Sequence, residues 1–160
     1  MWAFENENVN AIIANVGGND SIKLLPFIDA ALIKDNPKIF IGMPDVMNIH
    51  FLCRKAGLST FYGHNLFAIG EGQCFHPYSQ KWFRKSLFET TPLGIIEPNR
   101  TCNVLAYKLI QGQGIVQGRL IGGHTGMMEL ENESIALSTN DWEDSILFLE
   151  DIPDFFHPPS

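Results

Sequence analysis

Residues 11–46 read AIIANVGGNDSIKLLPFIDAALIKDNPKIFIGMPDV, and two apolar runs, 11–16 and 39–41, bracket a short helical stretch. A continuous apolar run between turn residues is what a strand buried on both faces looks like, as in a parallel sheet. Parallel neighbours need a crossover, which the intervening stretch supplies, so the segment predicts a β-α-β unit. Each strand ends in a turn, Gly17-Gly18 after the first and Gly42-Met43-Pro44-Asp45 after the second. The second turn runs straight into an apolar helical segment. Strand, sharp turn and helix together are the setting in which some hydrolases expose a nucleophile. Here proline stands where that nucleophile would be.

Within the unit, Asp20 or Ser21 can cap a helix whose apolar positions are Ile22, Leu24, Leu25 and Ile28, with Pro26 limiting or kinking it. Residues 30–34 form a further helical turn that Asn36-Pro37 stops. After the second strand, Val46, Ile49, His50 and Cys53 fall on one face of a helix that Gly57 ends. Residues 59–62 read as a third short strand, and the Gly-rich residues 66–77 as a loop. Ser79 can cap a helix over 80–89, with Phe83, Leu87 and Phe88 as its apolar stripe and Trp82 flanking it.

Residues 90–102 hold two prolines and a glycine, which makes them the linker candidate. Beyond them, 104–109 and 115–121 read as strands, Gly122-Gly123 as another tight turn, and 129–145 as an acidic, irregular stretch. Residues 146–149 are a final apolar strand with Glu150 and Asp151 at its carboxyl end, and the proline-rich tail reads as a stop. The first ten residues read as a helix end or lead-in. No internal repeat is present.

At 160 residues and 45% hydrophobic content, the chain can bury one sizeable core or two small ones. Only 18% of residues are charged, which speaks against disorder. With a net charge of −7 and no basic cluster, nucleic acid is not an expected partner. No apolar stretch approaches the roughly 18–20 residues needed to cross a bilayer, and the acidic amino terminus is not a secretory signal. Three cysteines, Cys53, Cys74 and Cys102, and five scattered histidines share no metal-like spacing. Reduced thiols in a cytoplasmic protein with no metal or cofactor are the expectation.

The chemistry in the turns is mixed. Gly17-Gly18-Asn19-Asp20 lacks the third glycine of a dinucleotide fingerprint, so NAD is not expected. Its backbone N–H groups can face an anion or developing oxyanion, or the pair can be a structural turn. Pro44 carries no hydroxyl or thiol and fixes φ, so the residues alone favour a helix start with proline in the first turn. Glu150, at a strand's carboxyl end, is placed where α/β folds keep reactive groups, though acids there also cap helices. His124, after Gly122-Gly123, is either a base or a packed loop histidine.

Several phrases taken together resemble the LD-carboxypeptidase family of serine peptidases, in particular its microcin C resistance branch. These are NAIIANVGGNDSIKLLPFIDAALIKDNPKIFIGMPDVMNIH, GLSTFYGHN, HPYSQKWFRKSLFE, GRLIGGH and DSILFLED, in the family's order. The resemblance implies a flavodoxin-like α/β nucleophile domain with a parallel sheet, partial here over 1–95. Part of a smaller, strand-rich α/β domain over 96–160 would follow it. It implies a Ser-His-Glu hydrolase acting on murein L,D-peptides or microcin C-type peptidyl-nucleotides, and a homodimer. Carried over by position, the nucleophile falls on Pro44 and the triad acid on Glu150. The oxyanion and substrate-binding groups fall on Gly17, Gly18, Asn19 and Asp45. No histidine here matches the triad motif, and the chain begins and ends inside the family pattern. The expectation is a cytoplasmic, bacterial relative that is truncated at both ends and inactive, or a non-catalytic peptide-binding or dimerising pseudoenzyme.

Overall fold

Strand β1 (Ala11–Ile13) is shorter than its apolar run. Beyond Ile13 the Ala14 N–H still reaches the Ile41 carbonyl at 2.9 Å, while the Ala14 carbonyl accepts from the Leu66 N–H at 2.7 Å. The Ala14 N–H is therefore satisfied by Ile41 of the next strand, and its carbonyl by Leu66, which has helical conformation rather than the loop expected there. The computed structural model describes residues 1–15, 18, 20–66, 69, 76–99, 108–127 and 132–151. Val16, Gly17 and Asn19, Cys74 and Cys102, most of the Gly-rich loop, residues 104–107 of an expected strand and the proline-rich tail lie outside the described residues.

β1 pairs in parallel with β2 (Ile39–Gly42), and β2 with β3 (Phe61–Tyr62), in the order β1-β2-β3. The β-α-β reading is thus realised, with a third strand added. Helix α1 (Trp2–Glu5) precedes the sheet. The crossover is a 3-10 helix, Ser21–Phe27, followed by α2 (Ala30–Asp35). The 3-10 form changes which side chains share a face, because residues three apart eclipse. Leu25 is buried with Ile22 and Ile28 packed on the core, whereas Leu24 and Phe27 are exposed. Asp20 is the N-cap residue, but its side chain makes no cap bond and pairs with Lys23 at 2.7 Å. α2 is capped by Asp29, whose carboxylate accepts the Ala31 N–H at 2.8 Å.

Helix α3 (Met47–Lys55) departs from the amphipathic expectation, because Met47 through Cys53 are all buried. It is enclosed by the sheet, the 3-10 helix and α2, so its polar residues must find partners inside. Asn48 Nδ2 donates to Ser21 Oγ at 3.1 Å, and His50 is held at both ring nitrogens. Gly57, at φ 84°, closes the helix as its position implied. Pro44 does not sit in the first helical turn: Val46 is the N-cap, and Pro44 lies in the turn before it, its carbonyl accepting from Met47 N–H at 3.1 Å.

The next helix, α4 (Pro77–Phe88), starts earlier than expected, capped by His76 rather than Ser79. The His76 ring accepts the Tyr78 N–H at 3.2 Å, and Pro77 occupies the first position, where a missing N–H leaves nothing unpaired. The described linker residues 89–99 carry no helix or strand. Residues 108–118 likewise hold none, so β4 (Arg119–His124) begins later than its apolar run. Gly122 and Gly123, expected as a turn, lie within this strand at φ 134° and 144°. A Cβ on Gly122 would overlap the Phe148 carbonyl, so that approach requires glycine, while at Gly123, where a Cβ would meet only the flexible end of Met47, the positive φ favours it. The acidic stretch contains a short helix, α5 (Thr139–Trp142), closed by a reciprocal Ser138–Asp141 capping box. β5 (Ser145–Glu150) pairs in parallel with β4 along its full length. Ile121 and Ile135 join Phe4, Leu25, Ile33, Phe40 and the α3 side chains in one hydrophobic cluster, so the two sheets share a core. No described helix is long and apolar enough to cross a membrane.

Candidate active site

Because the strands are parallel within each sheet, the carboxyl ends of β2 and β3 coincide, as do those of β4 and β5. Gly42 lies opposite Tyr62, and His124 opposite Glu150. Tyr62 connects the two pairs: its hydroxyl donates to Glu150 Oε1 and accepts from the His124 backbone N–H. Burial is the largest influence on this phenol and pushes its pKa up. The hydrogen bond to Glu150 and that group's charge push it further, against the His124 N–H, and Asp45 adds a smaller push in the same direction. The turn after β2 and the acid at the end of β5 therefore meet around Tyr62. An aromatic series from Phe40 through His50 and Tyr62 to Phe148, with centroid spacings of 5.1, 5.9 and 5.5 Å, packs beneath this junction.

The Gly42–Asp45 turn is held from several sides. A carbonyl can only accept, so His50 Nε2, 2.9 Å from the Gly42 oxygen, carries the ring proton. Neutral His50 then accepts at Nδ1 from Thr60 Oγ1, 2.7 Å away. Burial pulls its pKa down to about 4, only partly opposed by the bond to Gly42. Gly63 N–H also reaches the Gly42 carbonyl at 3.4 Å, and Asn65 Nδ2 donates to the Met43 carbonyl at 3.2 Å. Gly42 itself admits no side chain, since a Cβ would lie 2.5 Å from Ala14 Cβ and 2.8 Å from Val46 Cγ2. The Met43–Pro44 peptide is cis.

Of the residues singled out from sequence, Gly18 and Asp45 line one cleft of about 410 Å³, together with Asp20, Ser21, Leu24 and Val46. Gly18 faces open space where a side chain would otherwise project. Glu150 does not line that cleft and reaches the turn only through Tyr62. His124, read as a base or a packed loop residue, is 2% exposed on β4, its Nε2 3.7 Å from Asp151 Oδ1 and its Nδ1 without a partner. Among the described residues no three His, Cys, Asp or Glu side chains are grouped to hold a metal. Tyr62 and His50 were not read as site residues. Tyr62 carried no signal beyond its place at a strand end, and His50 lay on a face taken to be core. As it stands, the cleft can present Gly18 and Asp45 to a ligand, with Glu150 behind Tyr62, but Pro44 offers no nucleophilic atom.

Residues 1–63 match the LD-carboxypeptidase N-terminal domain. A putative carboxypeptidase of Vibrio cholerae is 44% identical over 142 residues, covering 76% of this chain and 41% of that protein. The probable murein peptide carboxypeptidase of Bacillus subtilis is 28% identical over 153 residues, covering 93% and 44%. The microcin C7 self-immunity protein MccF of Escherichia coli is 29% identical over 175 residues, covering 91% and 48%. The structure of MccF in complex with glutamyl sulfamoyl guanosine superposes with a TM-score of 0.67 at 30% identity, covering 93% of this chain and 50% of that one. The chain spans about half the length of these relatives, or somewhat less. Its residues 1–63 thus carry the LD-carboxypeptidase N-terminal domain pattern, within a mixed α/β fold of the MccF type.

Proposed function

We propose that this chain carries the ligand cleft of an LD-carboxypeptidase-like serine peptidase and holds a small peptide or peptidyl-nucleotide there without cleaving it. One observation carries the reading: the β2–α3 turn keeps its glycine, its acid and its hydrogen-bonded support, yet its nucleophile position is Pro44. Losing the nucleophile from a triad leaves only the residual contribution of binding and electrostatics. In this reading Gly18 and Asp45 line the substrate side and Glu150 occupies the acid position, while Gly17 and Asn19, matched to the same role by the family pattern, lie outside the described residues. Residues 1–95 and 96–160 are in this reading parts of two domains, each with its own sheet, packed on one shared core. MccF, bound to glutamyl sulfamoyl guanosine in its solved complex, supports the ligand class.

The test combines calorimetric titration with aminoacyl sulfamoyl nucleosides and an L,D-tetrapeptide with assay of terminal-residue release. Saturable heat with at least one ligand, and release no faster than in blanks, is expected. Release well above blank would overturn the inactive reading, and absence of heat with every ligand would overturn the binding reading.

A further inference from the structure

Helix α4 carries an apolar stripe, yet none of its residues is buried. An amphipathic helix ordinarily gains its stability by burying that stripe. The Tyr78 hydroxyl donates to the Glu97 carbonyl at 2.6 Å and Lys85 Nζ to the Leu93 carbonyl at 2.7 Å, so the helix and the linker after it are tied to each other. Between this unit and β3, β4 and α3 lies a second cavity, of about 850 Å³, which shares no lining residue with the Asp45 cleft. Its volume is within the range of small-molecule sites. Its walls present apolar surface to whatever enters: Leu120 of β4 is 64% exposed and Ile96 of the linker 56%.

The walls are aromatic on both the helix side and the sheet side. Tyr78 and Trp82 come from α4, with ring centroids 6.2 Å apart, and Tyr62 and Phe148 from β3 and β5, 5.5 Å apart. The charged lining groups are engaged with protein. Arg54 Nη2 meets the Asp141 carbonyl at 3.2 Å and its carboxylate at 3.5 Å, and Arg119 Nη2 donates to the Asn140 and Glu143 carbonyls at 3.0 and 3.3 Å. The Asp141 carboxylate also accepts from Ser138 Oγ and the Ser138 N–H, at 2.7 and 2.8 Å. Both phenols donate elsewhere, Tyr78 to Glu97 and Tyr62 to Glu150. Trp82 Nε1 and Arg54 Nε have no accessible surface and present nothing to a ligand. An ion entering here would give up hydration without gaining a free counter-charge.

We infer that the cavity binds an uncharged aromatic molecule, which supplies α4 with the core it lacks. The ring packs offset or edge-on against the aromatic side chains of the two walls and covers Leu120 and Ile96. Burial of apolar surface drives the binding, and the engaged charges set the selectivity, because a charged molecule of the same shape finds no partner to replace its water.

Two-dimensional amide NMR with hydrogen exchange, on the full chain titrated with naphthalenemethanol and in parallel with naphthoate and adenosine, tests this. Naphthalenemethanol should shift the amides of α4 and β4 saturably and slow exchange across α4, and naphthoate should bind at least about tenfold more weakly. Leu120→Ala, at a largely exposed position, should weaken naphthalenemethanol about fivefold with amide dispersion retained. If naphthoate binds as tightly as the alcohol, or α4 exchanges as fast with ligand as without, the inference is wrong. Adenosine binding more tightly than naphthalenemethanol would overturn it as well, since the cavity would then be a nucleoside site. An unchanged affinity in Leu120→Ala would place the alcohol elsewhere. Should that variant fail to fold, the comparison of ligands on the unaltered chain decides alone. Peptide binding in the Asp45 cleft reports on other amides, so either site can fail without the other.

Discussion

Mild acid should loosen this protein through His50. The imidazole is buried, donates from Nε2 to the Gly42 carbonyl and accepts at Nδ1 from Thr60, an arrangement that only the neutral ring satisfies. Its pKa is lowered from 6.5 to about 4, chiefly by burial. The unfolded chain therefore takes up a proton at this residue at higher pH than the folded one. Stability from the neutral ring is fully present above the unfolded pKa and is lost as pH falls through the window down to the folded one. With about 1.4 kcal/mol per pKa unit, the full displacement is worth about 3 kcal/mol, and about 2 kcal/mol of it is lost between about pH 7.5 and about pH 5. Urea unfolding across this range, followed by circular dichroism, measures the loss. His50→Gln keeps a donor for Gly42 but cannot titrate, so its stability should fall by about 2 kcal/mol less over the same window. If the two proteins lose stability in parallel, His50 is not the group responsible and the buried, doubly bonded imidazole has been misread.

Gly42→Ala should destabilise by about 1–3 kcal/mol in the same unfolding experiment, because the new methyl meets Ala14 Cβ and Val46 Cγ2 at overlapping distances. A neutral outcome would mean the turn is looser than it looks. Cys53 is fully buried and burial raises its thiol pKa to about 12, so iodoacetamide at mildly alkaline pH should leave it unmodified in native protein and modify it in urea, as read by peptide mass mapping. Tyr62→Phe removes the bridge between the His124 N–H and Glu150 and should cost about 1 kcal/mol, since the exposed carboxylate can be rehydrated. Pro44→Ser alone should not be acylated by a fluorophosphonate probe. A serine there needs a base, and both His50 ring nitrogens are already engaged, with the pKa pulled far below neutrality. Labelling at that serine would show that the turn has a base this reasoning missed.

The β-α-β unit was legible in the sequence because its signal is local. Apolar runs, breakers at Asn36-Pro37 and Gly57, and the β2-turn-α3 order each follow from neighbouring residues. So was the identity of the residue at position 44, which no tertiary contact can turn into a nucleophile. The tertiary structure decided whatever depends on residues far apart in the chain. Periodicity suggested a one-sided α3, but three surrounding elements bury it all round. Gly122-Gly123 looked like a turn because glycine pairs often are, whereas the Phe148 carbonyl at Gly122 and the positive φ of both favour glycine within a strand. Glu150 meets the Gly42 turn only because Tyr62, 88 residues earlier, stands between the two sheets. The sequence by itself thus determined the unit, its turns and the missing reactive atom. Which groups surround that turn was decided by long-range packing, since no local pattern encodes the partner of a side chain across a core.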